Sequence, residues 1–160
     1  MPETYQGDDG EQLRLLYERP GFMIRRVHQI ATSIFLDASA ELGATTTQYG
    51  VLTVLKSYSG IDQITLARRL GVDRSTAGAV LRTLEDAGYV SRVVASDRRR
   101  RNLESTSTGH ARLEALHRCA AEAIRRLLDP LTMEEATTLR RLLQKLILAH
   151  NTESRVPLID

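Results

Sequence analysis

The sequence predicts a mainly α-helical chain with one small β-hairpin, and three observations predict it. Between residues 62 and 88, two short runs of helical spacing meet at a glycine. Leu66, Ala67 and Leu70 form the first, Ala77, Val80, Leu81 and Leu84 the second, and Gly71 lies between them. Directly after them, 89–95 is rich in β-branched and aromatic residues, and 101–105 can return as its partner strand. On both flanks run long amphipathic patterns of helical period, more apolar than that middle section alone can cover.

Taken in order, 1–10 is polar, acidic and glycine-containing and reads as a mobile tail, followed by a short helix over 11–18 with Leu13, Leu16 and Tyr17 as its apolar contacts. Pro20 opens a long helix as a first-turn proline; Ile24, Val27, Ala31, Ile34, Ala38 and Leu42 share a face, and Gly43 stops it. Thr45 and Gln48 make a capping box for a helix that carries Val51, Leu52, Leu55 and Tyr58 into the core, and Ser59 and Gly60 break it. Asp62 and Asp73 are placed to cap the next two helices, and Gly88 ends the second. Thr106, Ser107 and Thr108 open another long helix with Leu113, Leu116, Ala120, Ile124 and Leu127 on one side. Asp129 and Pro130 interrupt it, because the residue before proline is pushed away from helix. Thr132 and Glu135 form a second capping box, and Ala136, Leu139, Leu143, Leu146 and Ile147 carry the last helix to about Asn151, before a polar tail over 152–160.

Two short helices joined by a glycine-containing turn form the helix-turn-helix unit, whose second helix enters the DNA major groove. Opposite the apolar stripe of that helix lie Ser75, Gly78, Ala79 and Arg82, with Arg74 and Thr76 at its N-terminal end. Arginine and hydroxyl side chains read base edges, and small residues let the helix sit deep. An ordinary amphipathic helix with a solvated outer face has the same pattern. The hairpin shifts the balance: its tip, 97–101, holds four consecutive arginines, among them Arg98, Arg99 and Arg101, suited to phosphates or the minor groove. Such a tip is a wing.

A chain of 160 residues is one domain's worth. The net charge of +2 announces nothing, but its distribution does: residues 92–101 hold five arginines against one aspartate, while 1–19 hold five acids against two arginines. There is no apolar run long enough for a membrane span and no signal-peptide pattern; a single cysteine fits a reducing cytoplasm. Apolar stripes on the outer helices must bury against something, and a second copy of the chain is the expected occupant. A symmetric homodimer presents its two recognition helices about one DNA turn apart and reads a near-palindromic double-stranded operator.

Catalytic and cofactor motifs are missing: no P-loop, no paired-glycine dinucleotide fingerprint, no G-x-S-x-G and no H-E-x-x-H. No cofactor and no enzymatic activity are expected. An enzyme carrying a winged helix would need a second, cofactor-binding α/β segment, and a purely protein-binding winged helix would not need the arginine wing. His110, Glu114 and His117 share a helical face, a spacing compatible with a metal, although a solvated or dimer-rim face is the plainer reading; no metal site is assigned. Cys119, beside Arg118, is open to oxidant sensing or to plain packing. Arg25, Arg26 and His28 stand on an otherwise apolar helix, as dimer ion-pair partners or as the carboxylate-gripping edge of a ligand pocket.

The order of these pieces resembles the MarR-type winged helix-turn-helix transcription regulators. The matching residues are Leu66-Ala67 with Leu70-Gly71-Val72, then Asp73-Arg74-Ser75-Thr76, then Leu84 through Val90, then Asp97-Arg98-Arg99 followed by Thr106 and Gly109. Ala79 and Thr83 stand where family members often carry arginine, and Ser105 replaces a usual aliphatic residue. The resemblance covers about 20–151. It implies one domain over 1–160: an acidic tail and short helix in 1–19, dimerisation helices in 20–44 and 107–151, a winged-helix DNA-binding lobe in 45–106 and a tail in 152–160. It also implies a ligand-responsive repressor whose effector site lies between dimer helices and DNA-binding lobe. The stretches around Arg25, around Thr45–Tyr49 and around Gly60–Gln63 look like the branch controlling aromatic-acid catabolism. The implied effector is an aromatic carboxylate or its coenzyme A thioester, on Arg25, Arg26, His28, Tyr49 and His117. A redox- or metal-responsive repressor of the same fold is the alternative.

Overall fold

The computed structural model describes residues 8–94 and 101–159, the side chains of Asp8, Asp9, Val94 and Arg101 excepted. Seven α-helices and one hairpin follow in the order α1 (Asp8–Tyr17), α2 (Pro20–Ala38), α3 (Thr46–Ser57), α4 (Gln63–Leu70), α5 (Arg74–Asp86), β1 (Val90–Val94), β2 (Arg101–Ser105), α6 (Ser107–Leu128) and α7 (Met133–His150). Short 3-10 turns follow α2 (Ala40–Leu42) and α7 (Asn151–Glu153). Mainly helical architecture with a small antiparallel hairpin is what the sequence predicts.

The core forms around α3. Val51, Leu52 and Leu55 are fully buried and meet Leu66 of α4, Leu81 and Leu84 of α5, Leu103 of β2, and Leu113 and Leu116 of α6. Phe35 of α2 closes this cluster from the other side. The hairpin is pinned to it twice. Val90 pairs with Ser105 and Val94 with Arg101, so Leu103 sits mid-strand and points inward. Ile61 then adds a short antiparallel bridge to Leu103, with backbone bonds of 2.8 and 2.9 Å from the 60–61 corner. The base of the hairpin is therefore anchored to the corner that leads into α4.

Several expectations need correction. The first helix starts at Asp8, inside the stretch read as tail. The long helix from Pro20 stops at Ala38, because the buried Ser39 hydroxyl donates to the Phe35 and Ala44 carbonyls (2.8 and 3.1 Å), bending the chain into the 3-10 turn before Gly43. Tyr58 lies beyond the end of α3, 45% exposed, with the Arg69 guanidinium 3.7 Å from its ring centroid. On α6 the buried side continues through Ala123, while Ile124 is 57% exposed. Asp129 keeps helical dihedrals (φ −50°, ψ −37°). The helix there stops at Pro130, which has no amide to give, rather than at a residue pushed out of helix.

Much apolar surface remains uncovered. Met23, Ile24, Val27 and Ile30 of α2 are about half exposed, as are Leu142, Leu146 and Ile147 of α7, which contains no buried residue.

Candidate nucleic-acid interface and effector cleft

The α4–α5 unit is built from its caps. The Asp62 carboxylate accepts from the Thr65 amide (2.8 Å) and the Asp73 carboxylate from the Thr76 amide (2.9 Å), each satisfying a donor the helix start leaves open. Between them Gly71 takes φ +65°, the left-handed conformation the tight turn requires. Asp73 also accepts from the Ser75 and Thr76 hydroxyls, and these bonds hold its carboxyl well below the usual carboxylate range. Ser75 and Thr76 therefore direct their protons at Asp73 and offer only lone pairs outward.

Ala77, Leu81 and Leu84 face the core, leaving Arg74, Ser75, Thr76, Ala79 and Arg82 exposed on the far side. Arg74 and Arg82 have no ion pair among the described residues. Gly78 is different. A Cβ there would come 2.9 Å from Nε2 of Gln63, whose side chain crosses from α4 and donates to the Arg74 carbonyl at 3.2 Å. Its small size makes room for that helix-to-helix tie. Sequence periodicity gave no hint of Gln63, because the tie spans two elements.

Arg92 of β1 is held by Glu85 of α5 at 2.7 Å, joining hairpin to recognition helix. Arg98, Arg99 and the side chain of Arg101 lie outside the described residues. At its base the hairpin is welded to α6: Thr106 and Thr108 donate their hydroxyls to the Gly88 carbonyl (2.7 and 2.9 Å), and Thr106 also caps α6 by accepting from the Gly109 amide. Gly109 lies so close to the Tyr89 carbonyl that a Cβ would fall 2.1 Å from its oxygen.

Four of the five candidate effector residues fall into two groups within one chain, and His28 joins neither. Tyr49 of α3 and His117 of α6 meet, phenol oxygen to Nδ1 at 3.0 Å, with rings edge to face, and the Phe35 ring lies tilted against Tyr49 with centroids 5.7 Å apart. Arg25 and Arg26 lie at the other end of α2. Arg25 precedes Phe35 by ten residues, roughly 15 Å along the helix axis. They line a cleft of about 600 Å³ against α1, with Leu13, Leu16, Tyr17 and Phe22. Arg25 sits over the Phe22 ring (4.9 Å) and Arg26 bonds the Gln29 side chain (3.0 Å). His28 is exposed on α2 and does not line that cleft.

The His110, Glu114, His117 face does not converge. Glu114 pairs with Lys56, which lowers its carboxyl below the ordinary range, and His117 is engaged by Tyr49. Among the described residues no group of three or more such side chains could hold a metal. Cys119 is half-buried.

Comparison with known proteins gives a consistent picture. The family model described as "MarR family" matches residues 44–100, the stretch from α3 through the recognition helix into the wing. The HTH-type transcriptional repressor Rv2887 of Mycobacterium tuberculosis is 33% identical over 130 residues, covering 79% of this chain and 91% of the relative. The structure of PcaV, a transcriptional regulator of Streptomyces coelicolor, in complex with its natural ligand superposes with a TM-score of 0.76 at 30% identity, covering 84% of this chain and 95% of that one. The transcriptional repressor CouR, bound to a 23-mer DNA duplex, superposes with a TM-score of 0.77 at 27% identity, covering 91% and 99%.

Proposed function

The chain belongs to the MarR family and is a DNA-binding transcriptional repressor, and from that premise we propose that it works as a homodimer on a near-palindromic operator and lets go when a small aromatic carboxylate, or its coenzyme A thioester, binds. The observation that carries this reading is the recognition helix itself. It is capped, buttressed from α4 and β1, and presents Arg74 and Arg82 with no ion-pair partner among the described residues. Unspent guanidinium groups on a rigid helix suit bidentate contacts to guanine or phosphate.

The bare apolar surface of α2 and α7 supports the dimer. Exposed aliphatic side chains in helical register on two elements are a large patch for a lone chain, and a second copy supplies the matching surface. The cleft between α1 and α2 supports the effector class. The Tyr17 and Phe22 rings offer a face for an aromatic ring, and two guanidinium groups grip a carboxylate. The Tyr49–His117 pair is a second polar anchor nearer the DNA-binding helices. The ligand-bound state of PcaV is in keeping with a ligand-responsive member of this fold.

A ligand shifts operator affinity only by its differential affinity for two arrangements of the recognition helices, typically about 5- to 150-fold. The test is an anisotropy titration on a library-selected operator across aromatic acids and their thioesters. A member of that panel should release the wild type, while Arg25→Ala and Arg26→Ala respond weakly and bind operator within a few-fold of wild type without it. No response to any member contradicts the effector class; an unchanged response in both variants moves the site away from α2.

A further inference from the structure

We infer that residues 151–159 form a strap that positions the reading head, tying the end of α7 to the turn of the helix-turn-helix. Residues 151–158 fold back on themselves rather than running straight on from α7. Asn151 grips Leu158 through two bonds: its Oδ1 accepts from the Leu158 amide (2.9 Å) and its Nδ2 donates to the Leu158 carbonyl (3.0 Å). Ser154 tightens the intervening loop by donating to the Val156 carbonyl (3.1 Å). The closed loop sets the Leu158 side chain against Gly71, with Cδ2 only 3.2 Å from where a Cβ of residue 71 would stand, and the Val156 carbonyl close behind at 3.8 Å. A cavity of about 330 Å³ lies between strap, turn and helix, lined chiefly by Leu70, Gly71, Ile147, Asn151, Val156 and Leu158.

What this contact joins matters more than its size. Gly71 is the joint between α4 and α5, so whatever rests on it biases the angle at which the recognition helix is presented. The other end of the strap is α7, whose Leu146 and Ile147 stay half exposed. In the dimer proposed above, on which this inference rests, α7 is held by the second copy. The strap then carries that fixed point down to each reading head and narrows the range of distances between the two recognition helices. Leu158 itself remains 42% exposed, so the contact is light enough to open without unfolding either partner. Leu158 and Asn151 are positioning residues: they act through the turn at Gly71.

The experiment uses the full-length chain and an operator selected from a random duplex library by the wild type. That operator is remade with its half-sites one or two base pairs closer or farther apart. Affinity is measured for wild type, Leu158→Asp, Asn151→Ala and the conservative Leu158→Met on each duplex and on random DNA, with sedimentation and melting as controls. Leu158→Asp and Asn151→Ala should bind the native spacing at least about 5-fold more weakly, with a flatter spacing profile, and match wild type on random DNA. Leu158→Met should behave as wild type. If Leu158→Asp melts early, Leu158→Ser and Asn151→Ala decide the matter. Variants with the wild-type profile, or with tighter operator binding, overturn the strap alone. A wild type indifferent to spacing overturns the two-half-site dimer instead.

Discussion

Asp73 shows how much one side chain does at the start of the recognition helix. Its carboxylate takes an amide and two hydroxyl bonds, and these depress its pKa. Glu114, Glu122 and Glu135 are depressed likewise, by Lys56, Arg125 and the Thr132 amide in turn. A carboxylate whose folded pKa lies below its unfolded value adds stability that is present above the unfolded pKa and lost as pH falls toward the folded one. The melting temperature should therefore fall as pH drops below about 4. Asn keeps the amide cap but loses the charge and the second acceptor oxygen, so Asp73→Asn should melt below wild type at neutral pH and show a shallower acid loss. Thermal unfolding between neutral and acid pH measures both; an equal acid loss in the variant removes Asp73 from the account. Two glycines separate packing from function at the same scale. Gly109→Ala drives a methyl into the Tyr89 backbone carbonyl and should cost about 1–3 kcal/mol or more in chemical denaturation. Gly78→Ala meets only the mobile end of Gln63, while alanine favours helix by up to about 1 kcal/mol, so stability should hardly change. A stability loss at Gly78 matching that at Gly109 would show that Gln63 cannot move aside.

At the scale of elements, recognition helix and wing should fail differently. Arg82→Ala removes a group on the exposed face of α5, and should cost about 1–3 kcal/mol on a selected operator and less on random DNA. Arg98→Ala or Arg99→Ala should weaken all sequences alike and lower the slope of log affinity against log salt by about one unit per lost phosphate contact. A salt-titrated binding series separates the two; equal loss on operator and random DNA for Arg82→Ala would make it a phosphate contact. The elements themselves were legible in the sequence wherever the deciding interaction is local. The boxes at Thr45 with Gln48 and Thr132 with Glu135, the caps at Asp62 and Asp73, and the left-handed turns at Gly43, Gly71 and Gly88 all involve residues within a few positions. Where distant elements decide, periodicity failed. Phe35 rather than Ile24 or Val27 is the buried side chain of α2, because it packs against Tyr49 of α3 in the core. Tyr58 turns out to the Arg69 guanidinium. Gln63 over Gly78 and Leu158 over Gly71 join residues whose spacing carries no pattern. The candidate effector residues were chosen by their chemistry, and nothing in their spacing told that Arg25 and Arg26 face α1 while Tyr49 bonds His117.

For the whole molecule, a core centred on α3 locks hairpin, helix-turn-helix and the first half of α6 together, while α2, the far end of α6 and α7 carry their aliphatic residues outward. That division is the basis of the proposal that two copies read one duplex. The most direct test of it is the stoichiometry and length dependence of operator binding, measured by sedimentation and anisotropy on a selected duplex and on each half alone. Two chains should bind the full duplex together, its half-sites centred about one helical turn or roughly 34 Å apart, with half-sites bound far more weakly. One chain per duplex, bound as tightly to a half-site as to the whole, would contradict the account.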